Sequence, residues 1–429
     1  MTRHYKSFYS MALASLMSIS LVHAQDVIET DPSEQPPGRP AQLTLDDLRT
    51  FTDVFNQARN NYVEEVDDKT LLDAAIRGML LELDPHSSYL PAKQYEDLND
   101  ASKGRYSGIG IDVQVLDGKI IIKAIINGSP ADEAGLNPGD VITSINGEEV
   151  RGRYLPDVVD EIGGDPDTDV VLIVQPEEGD AHEVSITRKY VQLPTLSYQP
   201  IGESFAYFRL THFHNESATH LKQALESIRA EGIEISLVVI DLRNNPGGVL
   251  RQAVGIADGF LDEGVIVSTR GRNSKMQMEF NANPGQWLPG TPVILLVDRG
   301  TASASEVLSG ALQDHERALV VGERTFGKGS VQSVLPLRNG AGIKLTTARY
   351  YTPSGRSIQA QGIEPDVAIN WEESSGEDDE RIRESDLEGH LGQEPKVANE
   401  ISGHPSQVPA DYQLDEVLQA LREADLFAR

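Results

Sequence analysis

The chain has 429 residues, 39% hydrophobic and 24% charged, which is enough for two or three globular domains. Its formal net charge of −30 excludes a nucleic-acid binder working through overall basicity and disfavours adsorption to anionic lipid. Cysteine is absent, so there is neither a disulfide nor a lipid-modified cysteine anchor, and stability must rest on full-size cores.

Residues 1–24 read as a signal peptide. Arg3 and Lys6 form its charged start, Phe8 to Val22 its apolar stretch, and Val22-His-Ala24 its small-residue cleavage site. The apolar run is short for a membrane span. The expected address is therefore a bacterial periplasm, with an uncleaved membrane anchor as the alternative. Residues 25–44, rich in proline and acidic side chains, are expected to form a flexible linker. Residues 45–102 form an N-terminal helical segment: Leu48, Phe51, Val54, Phe55 and Ala58 fall on one helical face, and Leu71, Leu72, Ala75, Ile76, Met79 and Leu80 on a second. Leu83-Asp-Pro-His-Ser-Ser-Tyr-Leu90 closes the segment with a turn, in which His86 is read as a turn residue.

A distinct unit follows over residues 103–189. Ser107-Gly-Ile-Gly-Ile111 precedes a strand at Ile120–Ile126, then come Gly128-Ser-Pro-Ala131 and the run from Ala134 to Gly147. This order of motifs resembles a PDZ domain. The resemblance implies that Ser107, Gly108, Ile109, Gly110 and Ile111 form a loop whose backbone N–H groups capture the carboxylate of a peptide C-terminus. The peptide then adds as a strand, with Ile109 and Ile111 flanking an apolar pocket for its last side chain. A PDZ fold serving only as lid or spacer is the competing reading. Many bacterial relatives carry an arginine late in this domain that helps couple occupancy to activity, whereas this chain has Ile162-Gly-Gly164, with Gly163 in its place. Gating by occupancy is left open.

Residues 190–371 alternate strands and helices. Phe205–Leu210 alternates as a strand and leads to a helix with Leu221, Ala224, Leu225 and Ile228 on one face. Leu237–Ile240 and Thr291–Val297 are short apolar runs, the pattern of strands buried on both faces. The first runs into Asp241-Leu-Arg-Asn-Asn-Pro-Gly-Gly248, where Arg243 and Asn245 are expected to hold the turn. The second runs into Asp298-Arg-Gly-Thr-Ala-Ser-Ala-Ser-Glu306, and Ala304, Val307, Leu308, Ala311 and Leu312 then recur at helical spacing. Ser303 thus stands at the positive end of a helix beside unpaired backbone N–H groups, a place suited to a hydroxyl nucleophile and the oxyanion it creates. Ser305 is expected to cap the helix. A serine needs a base. Lys328 lies in Thr325-Phe-Gly-Lys-Gly-Ser-Val-Gln332, and Gln332 shares its face at either strand or helix spacing, so it could orient the amine. To act as base near pH 7 the lysine must fall by about 3 pKa units, worth roughly 4 kcal/mol, which burial can supply.

His212 and His214 form an H-x-H pair without a third ligand, so no metal site is expected, and neither a G-x-S-x-G elbow nor a trypsin-type motif is present. Leu345–Tyr351 reads as a strand, and Tyr351–Ile358 with Gly362–Asp366 as the shaping of the same face. Residues 372–406 are expected to be an acidic disordered linker, with ten acids against two arginines between Glu372 and Glu394. Residues 407–429 are expected to carry a C-terminal helix through Leu414, Val417, Leu418 and Leu421, docked on the core or on another subunit.

Gly-Thr-Ala-Ser-Ala-Ser-Glu306, Thr-Phe-Gly-Lys-Gly-Ser-Val-Gln332 and Asp-Leu-Arg-Asn-Asn-Pro-Gly-Gly248, in family-like spacing from Leu45 to Asp366, resemble the signatures of the C-terminal processing (tail-specific) proteases. That resemblance implies an α/β, crotonase/ClpP-like protease core with an inserted β-rich PDZ domain. It further implies a serine endopeptidase with Ser303 as nucleophile, Lys328 as general base and Gln332 as its orienting partner. Ala304 and either Gly247 or Gly248 would form the oxyanion hole. Such an enzyme acts on protein or peptide substrates with a free C-terminus and needs no metal or cofactor. The resemblance also allows a lipoprotein adaptor and a homo-oligomer as partners. The competing reading is a catalytically silent PDZ adaptor.

Overall fold

Thr44 opens the first helix through a capping box: its N–H donates to the Asp47 carboxylate at 2.9 Å, and its hydroxyl accepts from the Asp47 N–H at 3.2 Å. The helix so started is α1 (Leu45–Asn61), and α2 (Asp68–Leu81) follows, capped by Asp67. The computed structural model describes residues 43–176, 178–201, 204–371, 382–392, 414–424 and 426. The expected signal peptide, nearly all of the first linker and most of the acidic stretch lie outside them. Helical spacing foretold both helices, yet α1 buries none of its residues, and Leu48, Phe51 and Val54 stay 48%, 51% and 64% exposed. α2 sends Leu80 into a small cluster with Tyr89 and Ala341. Next come β1 (Ser88–Leu90) and α3 (Ala92–Ser102). The chain forms two compact units, one of Asn99–Pro194 and the other of the residues up to Leu98 together with those from Thr195 onward.

The inserted unit is a few residues wider at each end than the expected 103–189. It contains β2 (Arg105–Gly108), β3 (Ile111–Leu116), β4 (Lys119–Ile125), α4 (Pro130–Glu133), β5 (Val141–Ile145), β6 (Glu148–Glu149), α5 (Leu155–Ile162), β7 (Asp169–Gln175), β8 (His182–Thr187) and β9 (Lys189–Gln192). An antiparallel sheet runs β3-β4-β5-β7-β8, with β6 on β5 and a separate β2–β9 pair. One face of this sheet builds the unit's core from Ile120, Ile142, Val170, Leu172 and Val174, closed by Val158 and Ile162 of α5. β3 is an edge strand. Gly163 ends α5 by donating its N–H to the Val159 carbonyl at 2.9 Å, and the Arg188 guanidinium takes the Glu161 and Ile162 carbonyls.

The larger unit holds β10 (Leu196–Ile201), β11 (Phe205–Leu210), α6 (Ser217–Ala230), β12 (Leu237–Asp241), α7 (Leu250–Phe260), β13 (Val265–Gly271), β14 (Met278–Asn281), β15 (Val293–Val297), α8 (Ala304–Asp314), β16 (Leu319–Gly322), β17 (Ser330–Pro336), β18 (Gly342–Tyr351), β19 (Val367–Ala368) and α9 (Leu414–Glu423). One sheet runs β10-β11-β12-β15-β16-β19, parallel except for β10. Every residue of β12 and β15 is buried, and the two-residue period divides them between two cores. Val238, Ile240, Val293 and Leu295 pack with α6, α7 and α8 on one face. Leu237, Val239, Ile294 and Leu296 pack on the other with Trp371 and with Val417 and Leu421 of α9. α9 is therefore docked on this chain's own core. Arg243 fixes the chain just beyond it, donating to the Leu426 carbonyl at 2.6 Å.

A second sheet, β1-β18-β13-β14 with β17 also on β18, brings distant sequence together. Ser88 pairs with Lys344, so the turn that starts at Leu83 lies beside β17 and β18. Within the stretch expected to be disordered, Ile382–Gly392 is instead ordered against this unit: Glu384 is fully buried and donates its N–H to the Phe326 carbonyl at 3.2 Å. The acidic composition misled because this carboxylate finds hydrogen-bond partners that make its burial tolerable.

Candidate active site

β15 ends at Val297, and the chain reaches α8 through a turn that is tied to the neighbouring strand end. The Asp298 carboxylate accepts from the N–H groups of Asn244 and Gly300, and the Thr301 hydroxyl donates to the Leu242 carbonyl at 2.9 Å. Ser303 is the residue that caps α8, not Ser305, whose hydroxyl donates to the Asn245 carbonyl at 3.0 Å. Ser303 is fully buried, with φ 57° and ψ −115°, a region that costs a non-glycine residue about 1–3 kcal/mol. That strain is held by the turn around it. The N–H of Ala304, the first residue of the helix, has no acceptor among the described residues.

The turn after β12 packs directly on Ser303. A Cβ on Gly247 would lie 2.9 Å from the Ser303 Cβ and 2.9 Å from the Ala304 nitrogen, so only glycine lets the two turns approach this closely. The Gly247 N–H donates to Asn245 Oδ1 at 2.9 Å, while the Asn245 amide nitrogen donates to the Leu210 carbonyl. The Gly248 N–H has no acceptor among the described residues, because the bridge to Phe213 uses the Gly247 carbonyl and the Val249 N–H. Arg243 is buried with both ends committed, to the Asp241 carboxylate and to Leu426. Arg243 and Asn245 thus hold the turn, as expected.

Lys328 enters from the loop between β16 and β17 and is 3% exposed. The residue that joins its loop to Ser303 is Glu306, whose importance the sequence reading missed. Its buried carboxylate accepts four hydrogen bonds: from the Ser303 N–H at 2.8 Å, the Lys328 N–H at 2.8 Å, the Gly327 N–H at 2.7 Å and the Thr325 hydroxyl at 2.5 Å. Ser303-x-x-Glu306 has the spacing of a capping box, the signal that could have found it. Burial pushes the Glu306 carboxyl up to about 7, against these hydrogen bonds. Burial also draws the Lys328 amine down to about 7, helped by the charge of Lys344 and opposed by Glu384, Glu306 and Asp84.

Gln332 is fully buried on β17, but its amide bonds elsewhere than to the lysine. The amide nitrogen donates to the hydroxyls of Ser330 at 2.9 Å and Thr346 at 3.3 Å, and its Oε1 has no hydrogen-bond partner among the described residues. Lys328 precedes the strand, and the register shifts between Val331 and Gln332, which pair with Ala348 and Thr346. Thr346 in turn donates to the Asp84 carboxylate at 3.0 Å, which also accepts from the N–H groups of His86 and Ser87. His86 sits in a turn, as read, and its Nε2 lies 2.7 Å from the Glu384 carboxylate.

In the inserted unit, Ser107 and Gly108 end β2, Ile109 is buried in the core and Ile111 starts the edge strand. Gly110 has φ +89°, and a Cβ there would lie 2.2 Å from that of Ser129, so the loop requires glycine at this point. His214 Nδ1 accepts from the Glu216 N–H at 3.2 Å, and the described residues contain no cluster of three potential ligands. No helix among the described residues is long and apolar enough to cross a membrane.

Three family models match: Peptidase family S41 over residues 204–369, PDZ domain over 121–176, and the Activating protease CtpB N-terminal domain over 10–94. A carboxy-terminal-processing protease of Bartonella bacilliformis is 39% identical over 89% of this chain and 89% of its own length. A "Probable CtpA-like serine protease" of Staphylococcus aureus is 35% identical over 75% of this chain and 65% of its own. Among solved structures, a photosystem II D1 C-terminal processing protease is 31% identical over 75% of this chain and 87% of its own, with a TM-score of 0.46. With the family match and 39% identity to the Bartonella protease over 89% of both chains, the chain belongs to peptidase family S41, as a serine-type carboxy-terminal-processing protease with a PDZ domain.

Proposed function

We propose that the protein is an endopeptidase that captures the free C-terminus of a protein substrate in its PDZ groove and cleaves the chain with a Ser303/Lys328 dyad. The observation that carries this reading is the pairing, through Glu306, of a strained, buried Ser303 with a buried lysine brought down to about 7. A neutral Lys328 takes the Ser303 proton as Oγ attacks the scissile carbonyl. The protonated amine then passes that proton to the leaving amine, leaving an acyl-serine, and a water activated by the same lysine hydrolyses it. The N–H groups of Gly248 and Ala304 serve the oxyanion. Of the two glycines Gly248 is favoured, because the Gly247 N–H is already donated to Asn245. The Oε1 of Gln332, without a partner among the described residues, is an acceptor that can orient the amine.

In the PDZ unit, the edge strand β3 supports strand addition by the peptide. The loop Ser107–Ile111 ahead of it supports carboxylate capture by backbone N–H groups. Residues 1–24 support an exported, periplasmic address. The exposed apolar side chains of α1 support a homo-oligomer, and a lipoprotein adaptor is part of the same reading.

The test compares an unstructured substrate ending in apolar residues as its free acid and its C-terminal amide, with wild type, Ser303→Ala and Lys328→Ala. Cleavage of the free acid alone, lost in both variants, is expected. Undiminished cleavage by either variant would overturn the dyad, and equal cleavage of acid and amide would remove the tail-recognition role.

A further inference from the structure

We propose that Ile382–Gly392 works in cis as a strap on the reaction site, and that its buried Glu384, held between His86 and Gln359, is a positioning residue for Lys328. The proposal rests on the reading of Lys328 as the base and adds to it a segment that no catalytic signature contains.

The geometry clamps the lysine loop on both sides. Upstream of Lys328, the Phe326 carbonyl accepts from the Glu384 N–H at 3.2 Å. Downstream, the Gly329 N–H donates to Gln359 Oε1 at 3.1 Å, and the same amide donates from Nε2 to Glu384 Oε1 at 2.7 Å. The Gln359 amide nitrogen also reaches the Leu391 carbonyl at 3.1 Å, so one side chain reads both ends of the strap. The other carboxylate oxygen, Glu384 Oε2, faces His86 Nε2 at 2.7 Å, and His86 belongs to the turn whose Asp84 holds Thr346 and, through it, Gln332. Glu384 is therefore where the lysine loop, the Asp84 turn and the C-terminal stretch meet.

A fully buried carboxylate is costly unless satisfied. This one has a partner on each oxygen. The ionisable groups acting on Lys328 are Lys344, Glu384, Glu306 and Asp84. Glu306 is committed to four donors within the Ser303–Lys328 framework, and Asp84 to its own turn and Thr346. Glu384 is the carboxylate brought by a separable segment. Its charge favours the protonated amine, against the burial and the Lys344 charge that draw the amine down. The strap thus does two things: it holds the loop in place and raises the pH at which Lys328 becomes a competent base.

The experiment measures the pH profile of kcat/KM on a free-acid peptide with full-length wild type, Glu384→Gln and Glu384→Asp, alongside Lys328→Ala and Ser303→Ala. Removing the negative charge should move the acidic limb of Glu384→Gln to lower pH by about 0.5 unit or more. Glu384→Asp keeps the charge with a shorter reach, so it should leave the limb in place while lowering kcat at unchanged KM. An unmoved limb in a folded Glu384→Gln protein overturns the proposal, since a purely structural residue would change stability and not the limb. Should Glu384→Gln fail to fold, unchanged kcat in Glu384→Asp overturns it instead. If Lys328→Ala still cleaves, it is the dyad that falls, an outcome distinct from either failure of the strap.

Discussion

Replacing Lys328 by methionine should make the protein inactive and more stable, by an amount that depends on pH in a calculable way. The amine is drawn from 10.5 to about 7 in the fold, a shift of about 3.5 units, or about 5 kcal/mol. Between these two values the unfolded chain holds a proton on Lys328 that the folded chain lacks. Wild-type stability from this group is therefore lowest below pH 7, rises between pH 7 and 10.5, and is fully recovered above. Lys328→Met has no such dependence, so its advantage should be largest near pH 7 and shrink by about 1.4 kcal/mol per pH unit above it. Urea unfolding at pH 8, 9 and 10 isolates the effect, because the Glu306 carboxyl, at about 7, is ionised in both states there. The two tryptophans, Trp287 and Trp371, both lie in the unit that carries Lys328, so their fluorescence follows that unit rather than the PDZ unit. The gap between wild type and variant should close by about 3 kcal/mol from pH 8 to pH 10. Parallel curves over that range would refute a depressed lysine.

Ser303→Gly should abolish peptide hydrolysis yet raise the unfolding midpoint, since relief of φ 57° is worth about 1 kcal/mol; a lower midpoint would argue against strain at this residue. Gly248→Ala should destabilise by about 3 kcal/mol, because its Cβ would lie 2.1 Å from the Phe213 carbonyl oxygen; a variant that melts like wild type would contradict this packing. Glu306→Gln should cost roughly 3 kcal/mol or more and most of the activity, as an amide replaces one acceptor oxygen with a donor facing other donors. Chemical unfolding followed by tryptophan fluorescence, together with kcat/KM, checks it.

The main lines of the core were legible because its strands announce themselves. Leu237–Ile240 and Val293–Val297 are unbroken apolar runs, and helical spacing after Ser303 marked α8. Ser303 and Lys328 could be picked out because their neighbours in sequence are small or glycine, and Gly247 and Gly248 through the resemblance of their run to a family signature. What stayed hidden was long-range. Nothing local in Asp84, Thr346, Gln359 or Glu384 says that they meet, because their contacts span 262 residues from Asp84 to Thr346 and 298 from His86 to Glu384. Composition was misleading at Ile382–Gly392, where a charge-rich stretch is ordered by a few specific hydrogen bonds rather than by apolar burial. At α1 periodicity found the helix but not its burial, since among the described residues nothing buries its apolar face.

The docking of α9 and Leu426 across the second core has a consequence for the order in which the protein comes into being. Synthesis delivers Ser303 and Lys328 well before Val417, Leu421 and Leu426, which finish the packing against Phe205, Leu237 and Ile294. The side of the sheet opposite α6, α7 and α8 therefore lacks its cover until Val417, Leu421 and Leu426 have left the ribosome, and the lysine loop lacks Glu384 until shortly before. Contacts between segments this far apart are slow to form. A nascent chain of this design carries Ser303 and Lys328, from their own synthesis until that of Leu426, without the completed scaffold that holds them, so the making of the segment from Glu384 to Leu426 sets the time at which that scaffold can close.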